Sequence, residues 1–330
     1  MKKNQTFLLL ALSLSSSVLY AEALTDGSVG AIKTLSGQFE VPASLGTTSG
    51  NNLFHSFKTF NLNSGESATF TGPDNISNVI SRVTGGKESN INGLLQSKVG
   101  EADFYFINPA GIVFGKEAQL NVPAAFHAAA SDQLQFKDGT IYSTTNLKNN
   151  QLSIASPEKF GLLAANNTNN YLNVSGAILA VNKQQTLELT APKLNINSNA
   201  LVFASEGNVQ LNTNQLSIDQ SKIVVDAYGE QKAGNVDINA QQVAISNGAV
   251  ISSHSNSTGS GGLISVNANA LNLDGKNLAA FTGLAANANS TGQAGQVKVQ
   301  TQSLAILGGA QINSSTFSLG NAGQVSVNSQ

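Results

Sequence analysis

The chain has no cysteine and no tryptophan, and only one methionine and six prolines among its 330 residues. Without cysteine it cannot form the disulfide bonds on which many small exported proteins depend. One interpretation is that its stability comes from a long continuous core.

Charged residues are also scarce. They make up 11% of the chain, the net charge is −2, and Arg82 is the single arginine. Nucleic acids and anionic membrane surfaces are bound by clusters of Lys and Arg. The composition therefore argues against a nucleic-acid partner and against binding to an anionic membrane surface.

The start of the chain has the pattern of a secretory signal peptide. Met1-Lys2-Lys3 is basic, and residues 7–20 are apolar apart from serines. At about 14 residues this run is too short for a transmembrane helix, which needs roughly 20. Small residues follow, so cleavage after Ala21 or Ala23 is expected. No later stretch approaches that length, and the sequence predicts an exported chain without membrane insertion.

Asparagine, glycine and branched apolar residues dominate what remains. Asn outnumbers Asp and Glu together, there are 31 glycines, and 41% of the residues are hydrophobic. Arranged in strand-length runs, that apolar fraction is too high for a disordered chain. Stacked strands favour such a composition, because like charges placed over one another repel, whereas Asn side chains can form hydrogen-bonded ladders. We expect an all-β fold.

One stretch, FYFINPAGIVFG from Phe104 to Gly115, joins two apolar strands through a tight turn. In Asn108-Pro109-Ala110-Gly111 the Asn can bond its own backbone, the Pro pre-sets φ, and the Gly suits the last position of a type I turn. The flanking residues alternate with a period of two, as strands do. So apolar a unit needs neighbours on which to stack.

Two further strings are ambiguous between helix and strand. Residues 50–62, GNNLFHSFKTFNL, have some apolar residues spaced by three, and residues 124–130, AAFHAAA, have high helix propensity. Both lie within a series of short strands. We therefore predict extended structure for both.

Downstream, strings of the form Gly-x-[Val/Ile]-x-[Val/Ile] recur. GNVDI, GLISV, GQVKV and GQVSV begin at Gly234, Gly262, Gly295 and Gly323, which are 28, 33 and 28 residues apart. No unit has enough apolar residues to bury a core alone, so stacking must build a continuous one, as in a solenoid. The absence of an amphipathic helix favours a β-solenoid with coils about 4.8 Å apart. The sequence leaves the coil length open.

Taken in order, several strings carry a family resemblance. GNNLFHSF, NVISRVTGG, INGLL, ADFYFINPAGIVFG and AQLNVPAAFHA lie between residues 25 and 165. They resemble the secretion domain of two-partner secretion exoproteins, the filamentous-haemagglutinin-like adhesins of Gram-negative bacteria. The downstream strings resemble the haemagglutinin-type repeats of the same family.

The resemblance implies a right-handed parallel β-helix (β-solenoid) with an N-terminal cap. It also implies a partner, a dedicated outer-membrane β-barrel transporter with periplasmic recognition domains. The chain would cross unfolded, fold outside, and act as a secreted or cell-surface adhesin. A disulfide formed in the periplasm would obstruct that crossing, which is a second interpretation of the missing cysteine. The host or other cell-surface receptor is not identifiable from the sequence.

The expected organisation is a signal peptide over residues 1–23, a secretion domain over 24–165 and a β-helical repeat region over 166–330. The last residues, GNAGQVSVNSQ, stop one strand into a repeat without a polar cap. An uncapped solenoid end exposes strand edges. We therefore expect a truncated form of a longer repeat protein. The front end of a toxin-delivering exoprotein is an alternative.

The resemblance places transporter recognition on four residues of the turn: Asn108, Pro109, Gly111 and Ile112. A purely structural role at a coil corner is the alternative for all four. The family signature is usually Asn-Pro-Asn-Gly, so recognition is not carried over onto Ala110. The upstream Asn-Pro-Asn-Leu motif of some members is missing, and residues 72–75, Gly-Pro-Asp-Asn, stand in its place.

A β-helical polysaccharide-degrading enzyme is the competing function. Such enzymes gather several carboxylates on one strand face. Glu101 and Asp103 share a face here, but a solvated like-charged pair is the commoner meaning of this pattern. His55, His127 and His254 are scattered, with no Cys or carboxylate at ligand spacing. We therefore predict no catalytic residues, no bound metal and no cofactor.

Overall fold

The structure is a computed structural model that describes residues 22–147, 151–161 and 170–329. The predicted signal peptide lies outside the described residues as far as position 21, and of the two predicted cleavage positions only Ala23 lies within them. Cleavage at either position stays a prediction. No helix in the described part of the chain is long and apolar enough to cross a membrane.

The regular structure of the described residues is almost entirely β-strand, apart from one short 3₁₀ helix at Ala43–Leu45. The strands are β1 (Glu22–Thr25), β2 (Thr34–Ser36), β3 (Gln38–Pro42), β4 (Thr47–Ser49), β5 (Asn52–Thr59), β6 (Ser67–Thr71), β7 (Asn78–Val83), β8 (Ser89–Ile91), β9 (Leu94–Ser97), β10 (Asp103–Ile107), β11 (Ile112–Phe114), β12 (Gln119–Asn121), β13 (Phe126–Ala129), β14 (Gln133–Phe136), β15 (Ile141–Ser143), β16 (Pro157–Gly161), β17 (Tyr171–Ser175), β18 (Ile178–Ala180), β19 (Thr186–Asn197), β20 (Leu201–Phe203), β21 (Asn208–Asp219), β22 (Lys222–Val224), β23 (Val236–Ser246), β24 (Val250–Ser252), β25 (Leu263–Asp274), β26 (Gly283–Ala285), β27 (Gln296–Leu307), β28 (Gln311–Asn313) and β29 (Gln324–Ser329). The two ambiguous strings contain β5 and β13, which confirms the extended interpretation of both.

Parallel strands stack along one axis to form the main sheet. Its order is β5, β7, β10, β13, β19, β21, β23, β25, β27 and β29. At its start, β5 pairs antiparallel with β1 and β4, and β1 pairs antiparallel with β2. These short strands occupy the hydrogen-bonding edge that the first coil would otherwise expose. The predicted N-terminal cap is therefore present.

Each coil has further faces. In the first coils β11 lies between β8 and β17 on a second face, and β3, β6, β9 and β12 form a third. From β19 onward one long strand covers the first two faces, because β19 pairs with both β13 and β17. The shorter strands β18, β20, β22, β24, β26 and β28 form the remaining ladder. The chain is therefore an all-β parallel β-helix, as the sequence predicts.

The register of the core residues gives the coil length. Consecutive partners at one core position are Leu187, Val209, Val236, Ile264 and Val297. Their numbers differ by 22, 27, 28 and 33, so each repeat unit is one coil. Part of the extra length forms an excursion after β22 that stacks from coil to coil, through a bridge from Ala227 to Ser255.

The recurring glycines mark the closest approach between coils. A Cβ on Gly234 would lie 1.5 Å from the carbonyl oxygen of Gly207, and one on Gly262 would lie 1.9 Å from that of Gly234. The same contact recurs at Gly295 and Gly323. Only glycine lacks the colliding atom, so the glycine spacing in the sequence is the spacing of the coils.

The interior is one hydrophobic cluster that includes residues from Ala23 to Ala310. Phenylalanines fill the first coils, and Phe104 stacks over Phe126 with ring centroids 6.1 Å apart. Val, Ile and Leu fill the later coils. The predicted domain boundary at residue 165 lies outside the described residues and stays a prediction, while the cluster contains residues from both sides of it.

A second apolar cluster lies outside the β-helix. Strands β14, β15 and β16 form an antiparallel sheet, which we call the lateral sheet. Its Phe136 and Tyr142 pack against Phe54 on β5, with ring centroids 5.9 and 5.0 Å apart. Ile80 and Ile107 complete the contact. The lateral sheet is thus fixed against the outer face of the first coils. This sheet was not predicted from the sequence.

Asparagine side chains of successive coils form hydrogen bonds with one another, as the composition predicts. The Asn78 Nδ2 donates to Asn52 Oδ1 at 2.8 Å, and Asn289 Nδ2 donates to Asn256 Oδ1 at 2.7 Å. In both pairs the residues come from successive coils. Such bonds satisfy stacked polar side chains without stacking like charges.

Candidate functional site

The Asn108–Ile112 segment forms a corner of the β-helix. It joins β10, which lies between β7 and β13, to β11, which lies between β8 and β17. The turn closes with a hydrogen bond from Gly111 N to Asn108 O at 3.1 Å, and Asn108 Oδ1 accepts from Ala110 N at 2.9 Å. These are the bonds that the Asn-Pro-x-Gly pattern predicts. The two strands stack on other coils and do not pair as a hairpin.

Asn108 ties the corner to the neighbouring coils. Its Nδ2 donates to Lys87 O and to Ser89 Oγ, both at 2.9 Å, and its backbone N donates to Ala129 O at 3.0 Å. The residue is fully buried. Because every polar atom of the side chain is hydrogen-bonded, Asn108 is a structural element of the folded corner.

Gly111 occupies a position that favours glycine. Its φ is +119°, which L side chains rarely adopt, and a Cβ there would lie 3.2 Å from Tyr171 O. Its carbonyl accepts from Ser89 N at 3.0 Å. The backbone of three successive coils therefore meets at this residue.

The four predicted recognition residues differ in exposure. Asn108, Gly111 and Ile112 are buried, with Ile112 in register between Ser89 and Leu172. Pro109 is half-buried and so has surface that a partner of the folded protein could touch. Sequence reasoning placed the turn correctly, but it could not show which of its side chains the stacked coils cover.

The carboxylate of Glu88 lies outside the turn and was not identified by sequence reasoning. The Tyr171 hydroxyl donates to Glu88, and Asn90 Nδ2 donates to the other Glu88 oxygen at 3.1 Å. The hydrogen bond to Glu88, with burial, raises the pKa of the Tyr171 phenol. Tyr171 lies 83 residues from Glu88, so no local pattern signals the contact.

The upstream segment Gly72-Pro73-Asp74-Asn75 also forms a turn, between β6 and β7. Ile76 N donates to Pro73 O at 3.3 Å, and residues 73–75 are exposed. This turn differs from the Asn108 corner, whose Asn side chain is buried. The structure brings no residue of the upstream segment into the corner.

The groups weighed for catalysis do not assemble among the described residues. Glu101 is exposed, and Asp103 Oδ1 accepts from Ala125 N at 3.1 Å. His127 Nδ1 lies 2.7 Å from Glu188 Oε2, within hydrogen-bond distance, and its ring stacks on Tyr105 with centroids 4.3 Å apart, a contact that spacing did not reveal. Within the described ranges, no group of three His, Asp or Glu residues is placed to hold a metal ion.

Two comparisons with known proteins found a match. A protein-family model described as the TPS (two-partner secretion) secretion domain matches residues 21–265, well over half of the chain. Among solved structures, the chain is similar to the HMW1 secretion domain from Haemophilus influenzae. Sequence identity is 16% and the TM-score is 0.38, over 94% of this chain and 98% of that chain. No curated protein sequence matches the chain.

Proposed function

The chain belongs to the TPS secretion-domain family, and from this premise we propose that it is an exported, haemagglutinin-like adhesin whose N-terminal domain directs passage through a dedicated outer-membrane transporter. Membership makes the chain a two-partner secretion exoprotein. The family is one of secretion domains and not of enzymes. The adhesive role is supported by the resemblance of the downstream repeats to haemagglutinin-type repeats.

The burial of the corner in the folded protein indicates that the transporter would bind this segment before the chain folds. Asn108, Gly111 and Ile112 are covered in the folded protein. A transporter could contact their side chains only while the chain is unfolded, before the neighbouring coils stack. We therefore assign recognition to the unfolded segment Asn108–Ile112, and the same residues then build the corner once the chain has crossed.

Variants of Pro109 and Pro123 can separate an effect on secretion from an effect on folding. Pro109→Ala removes a half-buried ring and none of the hydrogen bonds of the corner. Pro123→Ala is the matched control, because Pro123 is also half-buried and lies in another loop of the first coils. The amount of protein in the culture medium is measured with and without the transporter, and purified variants are unfolded in urea.

We expect Pro109→Ala to lower secretion while the free energy of unfolding falls by no more than about 0.4–1 kcal/mol, because alanine frees the unfolded chain. Pro123→Ala should lose stability by a similar amount and leave secretion unchanged. Asn108→Ala should lower secretion and also stability, by about 1–3 kcal/mol, because it leaves buried polar groups unpaired. Transporter-independent release would overturn the export proposal. Normal secretion of both Pro109→Ala and Ile112→Val would remove recognition from the corner.

A further inference from the structure

From β21 onward, two adjacent rows of outward-facing side chains on the long strands consist only of amides, whereas on β19 the position in register with Asn212 is the buried Thr190. The first row is Asn212, Asn239, Asn267, Gln300 and Asn328. The second row, two residues further along each strand, is Asn214, Gln241, Asn269 and Gln302. We call these two rows the amide rows. Every position in them carries a group that both donates and accepts hydrogen bonds, and none carries a charge.

The amide rows are only partly used for stacking. Asn239 Nδ2 donates to Asn212 Oδ1 at 3.3 Å, and Asn212 Nδ2 donates to Glu188 Oε1 at 3.2 Å. Asn212 Nδ2 also lies 3.5 Å from Thr190 Oγ1, and within the described ranges these are the side-chain hydrogen bonds of the rows. Most of the amides therefore present free donors and acceptors to solvent, unlike the bonded ladder at Asn52 and Asn78.

A groove of about 320 Å³ lies between the amide rows at the later coils. Its walls and floor include Asn267, Asn269, Gln300, Gln302, Ala268 and Thr301. The floor is held in place, because Thr301 is buried and its Oγ1 lies 2.9 Å from Ser303 O and 3.2 Å from Asn269 O, either of which can accept its single proton. Strands β25 and β27, which carry Asn267, Asn269, Gln300 and Gln302, are paired on both sides, whereas β29, which carries the lining residue Asn328, is paired only with β27 among the described strands.

We propose that the groove between the amide rows binds a neutral, extended oligosaccharide that lies along the β-helix axis. Sugar hydroxyls donate and accept hydrogen bonds, as the amides do. The amides repeat about every 4.8 Å along the axis and about 6.6 Å across it, which offers regular contacts to a chain of repeating units.

Charge favours a neutral ligand over an acidic or basic one. The neighbouring outward row carries both signs, with Asp237 and Lys298, and Glu188 is already bonded to His127. None of these groups lies in the groove lining. The amide rows also hold no carboxylate that could act as a general acid, so the site is one of binding and not of cleavage.

This inference rests on the adhesive part of the proposed function and is independent of export. The purified protein is titrated by calorimetry with cellohexaose, maltohexaose, laminarihexaose and mannohexaose, and with hexagalacturonate as the charged comparison. The groove variant is Asn269→Ala with Gln302→Ala. The control is Gln311→Ala, an exposed amide on β28 away from the groove. Sedimentation is measured on the same samples.

We expect saturable binding of at least one neutral hexasaccharide, with little binding of hexagalacturonate. The groove variant should raise the Kd about tenfold or more, since it removes two side-chain hydrogen-bonding groups, while Gln311→Ala leaves it unchanged. Both changes are at exposed positions, so the unfolding midpoint should hold. The proposal is overturned by no saturable binding of any neutral hexasaccharide, by tighter binding of hexagalacturonate, or by an unchanged Kd in the groove variant. A self-association lost in the groove variant, without sugar binding, would show instead that a second copy occupies the groove.

Discussion

The guanidinium carbon of Arg82 lies 4.0 Å from the centroid of the Tyr142 ring. Arg82 Nε donates to Ser56 Oγ on β5 at 2.8 Å, Nη2 donates to Ser28 Oγ in the cap at 3.0 Å, and Nη1 donates to the Ser143 carbonyl of the lateral sheet. The single arginine of the chain thus joins the cap, the first coil and the lateral sheet. Each of its three donors fixes a different segment.

Arg82→Met should therefore destabilise all three segments together. We expect the free energy of unfolding to fall by about 3 kcal/mol or more, because polar partners of a buried charge are left unpaired. Arg82→Lys keeps the charge but cannot supply the forked donors, so it should remain destabilised. Urea unfolding followed by circular dichroism measures both.

Tyr142→Phe is the control for the ring contact. The Tyr142 hydroxyl is buried and has no hydrogen-bond partner among the described residues. Its removal should leave the free energy of unfolding equal or slightly higher, since an unpaired buried polar group is lost. If Arg82→Met proves as stable as Tyr142→Phe, the joining role of Arg82 is wrong.

The glycine stack gives a second prediction. A Cβ on Gly262 would lie 1.9 Å from the Gly234 carbonyl oxygen and 2.5 Å from Ser253 Oγ. Gly262→Ala must push two coils apart, and we expect a loss of about 3 kcal/mol in the free energy of unfolding. Thermal and urea unfolding of the purified variant measure the loss.

Gly229→Ala is the matched control for the stack. The nearest atoms to a Cβ there are at 3.8 and 4.0 Å, so alanine fits. Alanine also restricts the unfolded chain, and we expect Gly229→Ala to be neutral or stabilising by about 0.5 kcal/mol. Equal stability of the two alanine variants would show that the coils can separate at Gly262 without cost.

The stack also explains why the repeats were readable in the sequence. The glycine positions are dictated by contact between successive coils, so their spacing is visible without knowing the fold. The corner was readable for a similar reason, since Asn108 and Gly111 act through local backbone bonds. The burial of the corner could not be predicted from the sequence, because β8 and β17, which cover it, belong to other coils.

The lateral sheet was missed although a signal was present. Leu53 and Phe54 are adjacent on β5 and both are buried, so this strand is covered on both faces. The sequence string LFHSF has apolar residues on both faces, which indicates a strand whose outer face is also covered. The partners of Arg82 carry no such signal, because they lie up to 61 residues away.

Burial of His55 predicts a pH dependence of stability. His55 is buried near Phe57 and Phe70. Its ring nitrogens have no hydrogen-bond partner in the described part of the chain. The Leu45 backbone acts in the opposite direction to burial and raises the pKa of His55. Burial lowers the pKa of His55 from 6.5 to about 4. The unfolded chain therefore takes up a proton between pH 6.5 and 4 that the folded chain does not.

Stability from His55 should be fully present above pH 6.5 and lost as pH falls toward 4. A shift of this size corresponds to about 3 kcal/mol. The free energy of unfolding is measured between pH 4 and 7 for wild type, His55→Leu and His254→Leu. His55→Leu should remove the part of the dependence that comes from His55, and His254→Leu should remove a separate part, because burial also lowers the pKa of His254. Parallel curves for wild type and His55→Leu would contradict the assignment.

The attachment of the lateral sheet can be tested at Phe136. Its ring is fully buried against Phe54. Phe136→Ala should cost about 3–5 kcal/mol of packing at this contact. Strands β5, β7 and β10 keep their ladder bonds, so we expect the lateral sheet to loosen first and limited proteolysis to cut within residues 133–161 while the β-helix persists.

Ile141→Ala is the control, because Ile141 is 44% exposed on the same sheet and its loss should change stability by less than about 0.5 kcal/mol. A Phe136→Ala variant that resists the protease as wild type does would show that the lateral sheet is held by its strand pairing rather than by this packing.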